Sequence, residues 1–95
     1  MKKEILKLHT DFCKTFAHPK RLEILDVLRR GEMTFAEIQK KIGASKPYTS
    51  QQLSVMRMKG ILKTRRDGQS MYYSIASKKI SHACTLMQEA LAQLM

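Results

Sequence analysis

The side chains able to do chemistry cluster between Lys46 and Gln69, and their types suit a polyanion better than a reaction. From Ile38 to Arg66 there is no acidic residue, while Lys40, Lys41, Lys46, Arg57, Lys59, Lys63, Arg65 and Arg66 are basic. A purposeless solvated surface mixes its signs, so one sign concentrated in one segment marks an interaction face. Polar side chains sit among these cations. Ser50 and Gln51 can pair with base edges, and Lys46 and Arg57 can attract phosphates or a guanine. Pro47 and Ser54 share their helix face, and Tyr48 can reach a phosphate or a thymine methyl. Lys63, Arg65, Arg66 and Gln69 form a second basic group that can follow a phosphate backbone or enter a minor groove.

The other reactive groups are two thiols and an imidazole. His9 and Cys13 are four residues apart and share a helix face, with Cys84 far along the chain. Thiolates suit soft ions such as arsenite, Cu(I) or Zn(II), and a cysteine pair can also oxidise to a disulfide. The opposing reading is that free cysteines serve as small buried hydrophobes. His82 points away from Cys84 on a helix, and His18 is accounted for as the cap before Pro19. No Ser/His/Asp ordering, catalytic carboxylate pair, Gly-rich phosphate loop or Cys-x-x-Cys is present, which argues against an enzyme.

These residues need elements to position them, and the punctuation supplies those elements. A first helix over residues 3–16 is broken at His18-Pro19. Pro19 suits the first turn of a second helix, apolar on more than one face and therefore central, with Gly31 able to end it. Thr34 and Glu37 form a T-x-x-E capping box, with Met33 and Ile38 as its hydrophobic staple. The short helix they open stops at Gly43, and Ser45 caps the next, which carries Pro47 in its first turn and runs to Gly60. Residues 34–59 thus read as a helix-turn-helix. Residues 61–76 read as a hairpin turning at Asp67-Gly68, with a basic tip. From Ser77 a last helix runs to the end. Its Ile80, Cys84, Met87, Leu91 and Leu94 are spaced 4, 3, 4, 3 as in a helix seam. With Ile5, Leu8 and Phe12 of the first helix they form a candidate dimer face, although an amphipathic helix covering its own core would show the same spacing.

The expected fold is mainly α with a small β-hairpin, a winged helix-turn-helix ordered α1-α2-α3-α4-β-β-α5. It occupies residues 1–95 as one domain, dimerised through residues 1–16 and 77–95.

In this order the residues resemble the ArsR/SmtB family of bacterial and archaeal winged-helix repressors. The resemblance runs through Ala17-His18-Pro19-Lys20-Arg21-Leu22-Glu23-Ile24-Leu25, Ser45 to Leu53, Arg57 with Gly60-Ile61-Leu62, and Arg65-Arg66-Asp67-Gly68 to Tyr72-Tyr73-Ser74-Ile75. It implies a homodimer built from the terminal helices, binding an imperfect inverted repeat in double-stranded DNA until an inducer releases it. The family's known sensor sites are missing. Thr34 and Ala36 stand where one site has its cysteines, and Ser77, Lys79, Ala90 and Gln93 where another binds zinc. Asp26 and Ala92 stand where sulfide-responsive members carry thiols. The inducer and any metal are thus unknown. A thiolate-bound metal or metalloid at Cys13 and Cys84, with His9, is one reading, and a regulator with no sensor of its own is the other. An architectural or RNA-binding winged helix is the alternative to a repressor.

Composition sets the outer limits. The chain has 95 residues, 18 Lys plus Arg against 8 Asp plus Glu, a net charge of +10 and 43% apolar residues. That length allows one core and buries roughly 60–65% of the unfolded surface. The apolar content argues against disorder, and no run approaches the ~18 apolar residues that span a membrane. Met1-Lys2-Lys3-Glu4 has no apolar signal core, and two cysteines fit a reducing cytoplasm.

Overall fold

The computed structural model describes residues 1–95 and contains five helices and a three-stranded sheet. In chain order these are α1 (Lys3–Thr15), α2 (Pro19–Leu28), β1 (Met33–Thr34), α3 (Phe35–Ile42), α4 (Lys46–Met58), β2 (Leu62–Asp67), β3 (Ser70–Ile75) and α5 (Lys78–Ala92). The sheet is antiparallel throughout, in the order β1-β3-β2.

Local chemistry accounts for most boundaries. The Thr34 hydroxyl accepts from the Glu37 amide at 3.2 Å, and the Glu37 carboxylate accepts from the Thr34 amide at 3.0 Å, closing the capping box. Gly43 ends α3 in the left-handed conformation, φ +63° and ψ 39°, which its missing Cβ makes cheap. Two residues later the Ser45 hydroxyl accepts from the Tyr48 amide at 3.2 Å and opens α4. The turn between the helices is further held by Gln39, whose amide donates to the Ala44 carbonyl at 3.2 Å.

Four details differ from the sequence reading. Met33 and Thr34 form a third strand, pairing Met33 with Tyr73 and Thr34 with Tyr72. Two residues carry no readable period, and the same Thr34 is already committed as a cap. The hairpin turns at Gly68-Gln69, because Asp67 still pairs with Ser70. Gly68 has φ +63°, the positive value that the first loop residue of a type II′ turn requires. Helix α2 stops at Leu28, and Gly31, with φ +146°, comes three residues later. Helix α5 ends at Ala92 instead of running to the end of the chain, and Leu94 follows it with its amide donating to the Leu91 carbonyl at 3.0 Å.

The core forms where α2, α3, α4 and the sheet meet. Ile24, Leu25 and Leu28 of α2 pack with Ile38 and Ile42 of α3, Leu53 and Met56 of α4, and Ile61 and Leu62 leading into the sheet. Phe16 joins them from the end of α1. Helix α5, by contrast, has no buried side chain. It is tethered to α2 mainly through polar groups. Gln88 and Arg29 both donate to one Asp26 carboxylate oxygen at 2.9 Å, Arg29 also donates to the Thr85 hydroxyl at 3.3 Å, and the Ser81 hydroxyl donates to the Arg29 carbonyl at 3.4 Å. The Gln88 hydrogen bond is the main reason the Asp26 carboxyl is held below its ordinary range.

One side chain ties the early helices to α4. The Arg21 guanidinium donates through Nε to Gln52 Oε1 at 2.7 Å and through Nη1 to the Thr15 carbonyl at 3.2 Å. Gln52 is 4% exposed and lies on the inner face of α4, so without Arg21 its amide oxygen would be buried and unpaired. The Arg21→Met variant should therefore lose about 1–3 kcal/mol of stability, read as a lower urea midpoint. An unchanged midpoint would mean that the bridge does not hold the helices together.

Candidate nucleic-acid interface

Helix α4 has one face turned into the protein and one turned out. Thr49, Gln52, Leu53 and Met56 are buried, spaced 3, 1 and 3 as one helical face demands. Lys46, Pro47, Ser50, Gln51, Ser54 and Arg57 are exposed on the other side, so the stripe read from sequence lies on one outward surface. Tyr48 departs from it. Its ring is half-buried, and its hydroxyl lies 3.4 Å from His18 Nε2. His18 stands at the N-cap of α2 as read from sequence, although its side chain makes no capping bond and its Nδ1 is buried without a partner. The residue that sequence reasoning misses is Gln52, a polar side chain on the inner face whose partner, Arg21, is 31 positions away.

The wing lies beside this helix. The chain leaves α4 through Gly60, with φ +76°, and the Ile61 amide donates back to the Met56 carbonyl at 3.0 Å. Strand alternation then puts Lys63, Arg65 and Asp67 on one face of the hairpin and Leu62, Thr64 and Arg66 on the other. Gln69 is at the exposed tip. Of the eight cations between Ile38 and Arg66, only Arg65 is ion-paired; the other seven have no carboxylate partner. Arg65 grips Glu32 with two donors, Nη2 to Oε1 at 2.5 Å and Nε to Oε2 at 3.2 Å. Those hydrogen bonds hold the Glu32 carboxyl below its ordinary range and push the Arg65 guanidinium above its own.

The remaining candidate residues line a groove of about 670 Å³ between α1 and α5. Its walls include Ile5, Leu8 and Phe12 on one side and Ile80, Cys84, Met87 and Leu91 on the other. Cys13 and His9 also reach this groove, yet no three His, Cys, Asp or Glu side chains of the chain come together as a metal-ligand set. Burial pushes the Cys84 thiol above its ordinary value of 9.0, with Asp26 adding to the shift and Arg29 opposing it.

Comparison with known proteins fits this arrangement. The pattern of the arsR family of bacterial regulatory proteins matches residues 18–64, from the start of α2 into the wing. An uncharacterised HTH-type transcriptional regulator of Mycobacterium tuberculosis, Rv0081, is 36% identical over 92 residues, spanning 96% of this chain and 81% of that one. This chain belongs to the ArsR family.

Solved structures agree over nearly the whole ArsR chain. The crystal structure of M. tuberculosis Rv0081 superposes with a TM-score of 0.86 at 35% identity, covering 98% of this chain and 94% of that one. A homodimeric winged helix-turn-helix DNA-binding domain from Mycobacterium bovis gives 0.85 at 28% identity, covering 95% and 83%. The transcriptional repressor BigR of Xylella fastidiosa gives 0.78 at 30% identity, covering 95% and 96%. As an ArsR-family protein, the chain is a winged helix-turn-helix DNA-binding transcriptional regulator. No helix is long and apolar enough to cross a membrane.

Proposed function

We propose that this regulator is a cytoplasmic homodimeric repressor that reads an inverted-repeat operator, with one α4 in each of two successive major grooves. The observation that carries the reading is the outward face of α4. It presents Ser50, Gln51 and Ser54 between the unpaired cations Lys46 and Arg57, on a helix whose other face is fastened to the core. Gln51 and Ser50 face base edges, Lys46 and Arg57 take phosphates or a guanine, and Pro47 packs against the groove wall. The wing adds Lys63, Arg66 and Gln69 along the backbone.

The dimer reading is supported by what the isolated chain leaves uncovered. Leu8 is 64% exposed, Met87 60%, Leu91 53% and Ile5 50%, all around one groove, and exposed apolar side chains gathered in one place mark an interaction surface. A second copy packed there would cover both helices. The homodimeric state of the M. bovis relative supports the same assembly. A two-fold dimer places its reading heads one helical turn apart, about 34 Å along the duplex. For sensing, a thiolate site would have to draw Cys13, His9 and Cys84 from both sides of that seam, because a single chain does not gather them.

Sequencing of genomic fragments captured by the protein, followed by footprinting, tests the reading as a whole. A protected site of limited length with two-fold symmetry is expected; uniform coverage of any duplex would replace a repressor by an architectural protein. Gln51→Ala should relax base preference at one position of each half-site, by about 1–3 kcal/mol where the contact is bidentate. Unchanged preference would remove Gln51 from the reading surface. Met87→Asp should convert the dimer to monomer in sedimentation, and a variant that sediments like the wild type would exclude this groove as the interface.

A further inference from the structure

We propose that Arg65 is a strut of the wing and not one of its DNA contacts, and that Glu32 acts as a specificity determinant by keeping that cation away from phosphate. This role rests on the DNA-binding reading and reassigns one residue of that surface.

The geometry uses every side of the guanidinium. Its Nε and Nη2 grip both Glu32 oxygens, the fork-on-carboxylate arrangement that is the strongest form of such a bond. The third nitrogen, Nη1, lies 3.7 Å from an Asp67 oxygen. One face of the group rests on the Tyr72 ring, 4.5 Å from its centre. Arg65 is the cross-strand partner of Tyr72, and Tyr72 is also the partner of Thr34 in β1. Glu32 directly precedes β1. The Arg65 side chain therefore runs from β2 across β3 to the approach to β1, bracing the whole sheet on one face.

The charge follows from that brace. Glu32 and Asp67 together outweigh Arg65, and Lys63 is close enough to Glu32 to lower its carboxyl further, so this face of the wing is close to neutral. Arg66 is on the opposite face, pairs in register with Met71 and has no acidic partner. The wing thus offers Arg66 as its free cation near the tip. Extra phosphate contacts raise affinity for all duplexes alike and so dilute discrimination.

Binding to a random-sequence duplex should be measured against KCl concentration for the wild type and three variants. Each lost phosphate contact lowers the slope of log K against log salt by about 0.9, hence by about 1.8 for a symmetric dimer. Arg66→Met should show that loss. The double variant Glu32→Gln/Arg65→Met, which removes the pair without leaving a charge, should keep the wild-type slope. Glu32→Gln alone should steepen the slope by a similar amount and narrow the gap between operator and random DNA. If the double variant flattens the slope as Arg66→Met does, Arg65 binds phosphate and the proposal fails. It also fails if Glu32→Gln changes nothing. If Arg66→Met has no effect while the wild type remains salt-dependent, the wing is off the DNA and the proposal fails again. A wild type without salt dependence would instead remove the DNA-binding reading itself. Circular dichroism showing each variant folded at the temperature of the binding measurement separates these outcomes from misfolding.

Discussion

The reading helix is useful only if its inner face is fixed, and that depends on the Arg21–Gln52 bond. A buried amide costs stability unless it is paired, and here its partner arrives from α2 carrying a second bond to the end of α1. Two neighbours in sequence act at the same corner. Lys20 donates to the Ile42 carbonyl at 2.6 Å, satisfying an acceptor at the end of α3, and His18 meets the Tyr48 hydroxyl at 3.4 Å. Residues 18–21 thus touch α1, α3 and α4 without facing the DNA surface. Three of those four side chains are polar or charged, yet their work is to orient the helix-turn-helix on α2.

That arrangement separates two uses of charge in one basic chain. Three of the eight cations before the acid-free segment, Lys20, Arg21 and Arg29, are engaged within the fold, by carbonyls, an amide, a hydroxyl or a carboxylate. Cations inside the segment are free except Arg65. Glu32 explains the exception: it lies outside the segment in sequence, and the sheet brings it alongside the wing. Charge segregation along a chain is therefore an upper limit on the charge a face presents. Long-range pairing can only reduce it.

The same distinction between local and distant causes governs what is legible in the sequence. The capping box at Thr34, the Ser45 cap, Gly43 in the helix-turn-helix and the outward stripe of α4 are all legible, because each depends on residues within four positions. The third strand is not, since two residues have no period and become a strand only when Tyr72 and Tyr73 arrive to pair with them. The helix position of Tyr48 permits an outward ring, and only His18, 30 positions away, draws its hydroxyl inward. Arg65 looks free in the sequence for the same reason. The end of α5 at Ala92 is not legible either, because no breaker follows it in the sequence.

The groove between α1 and α5 is a consequence of chain length. The buried apolar core consists of ten side chains, none from α5 and, of those near α1, only Phe16 just past its end. The terminal helices therefore gain little from the chain's own core, and α5 is tethered largely by hydrogen bonds, half-buried ones to Arg29 and an exposed one from Gln88 to Asp26. Such bonds orient a helix well but stabilise it modestly, since each replaces a hydrogen bond to water. A domain this small cannot enlarge its core from within. The apolar residues it places on α1 and α5 can be covered by a second copy, and covering them would also fix the distance between two reading heads. Stability and half-site spacing would then be set by one surface, so a ligand that altered the seam would act on DNA affinity without touching α4.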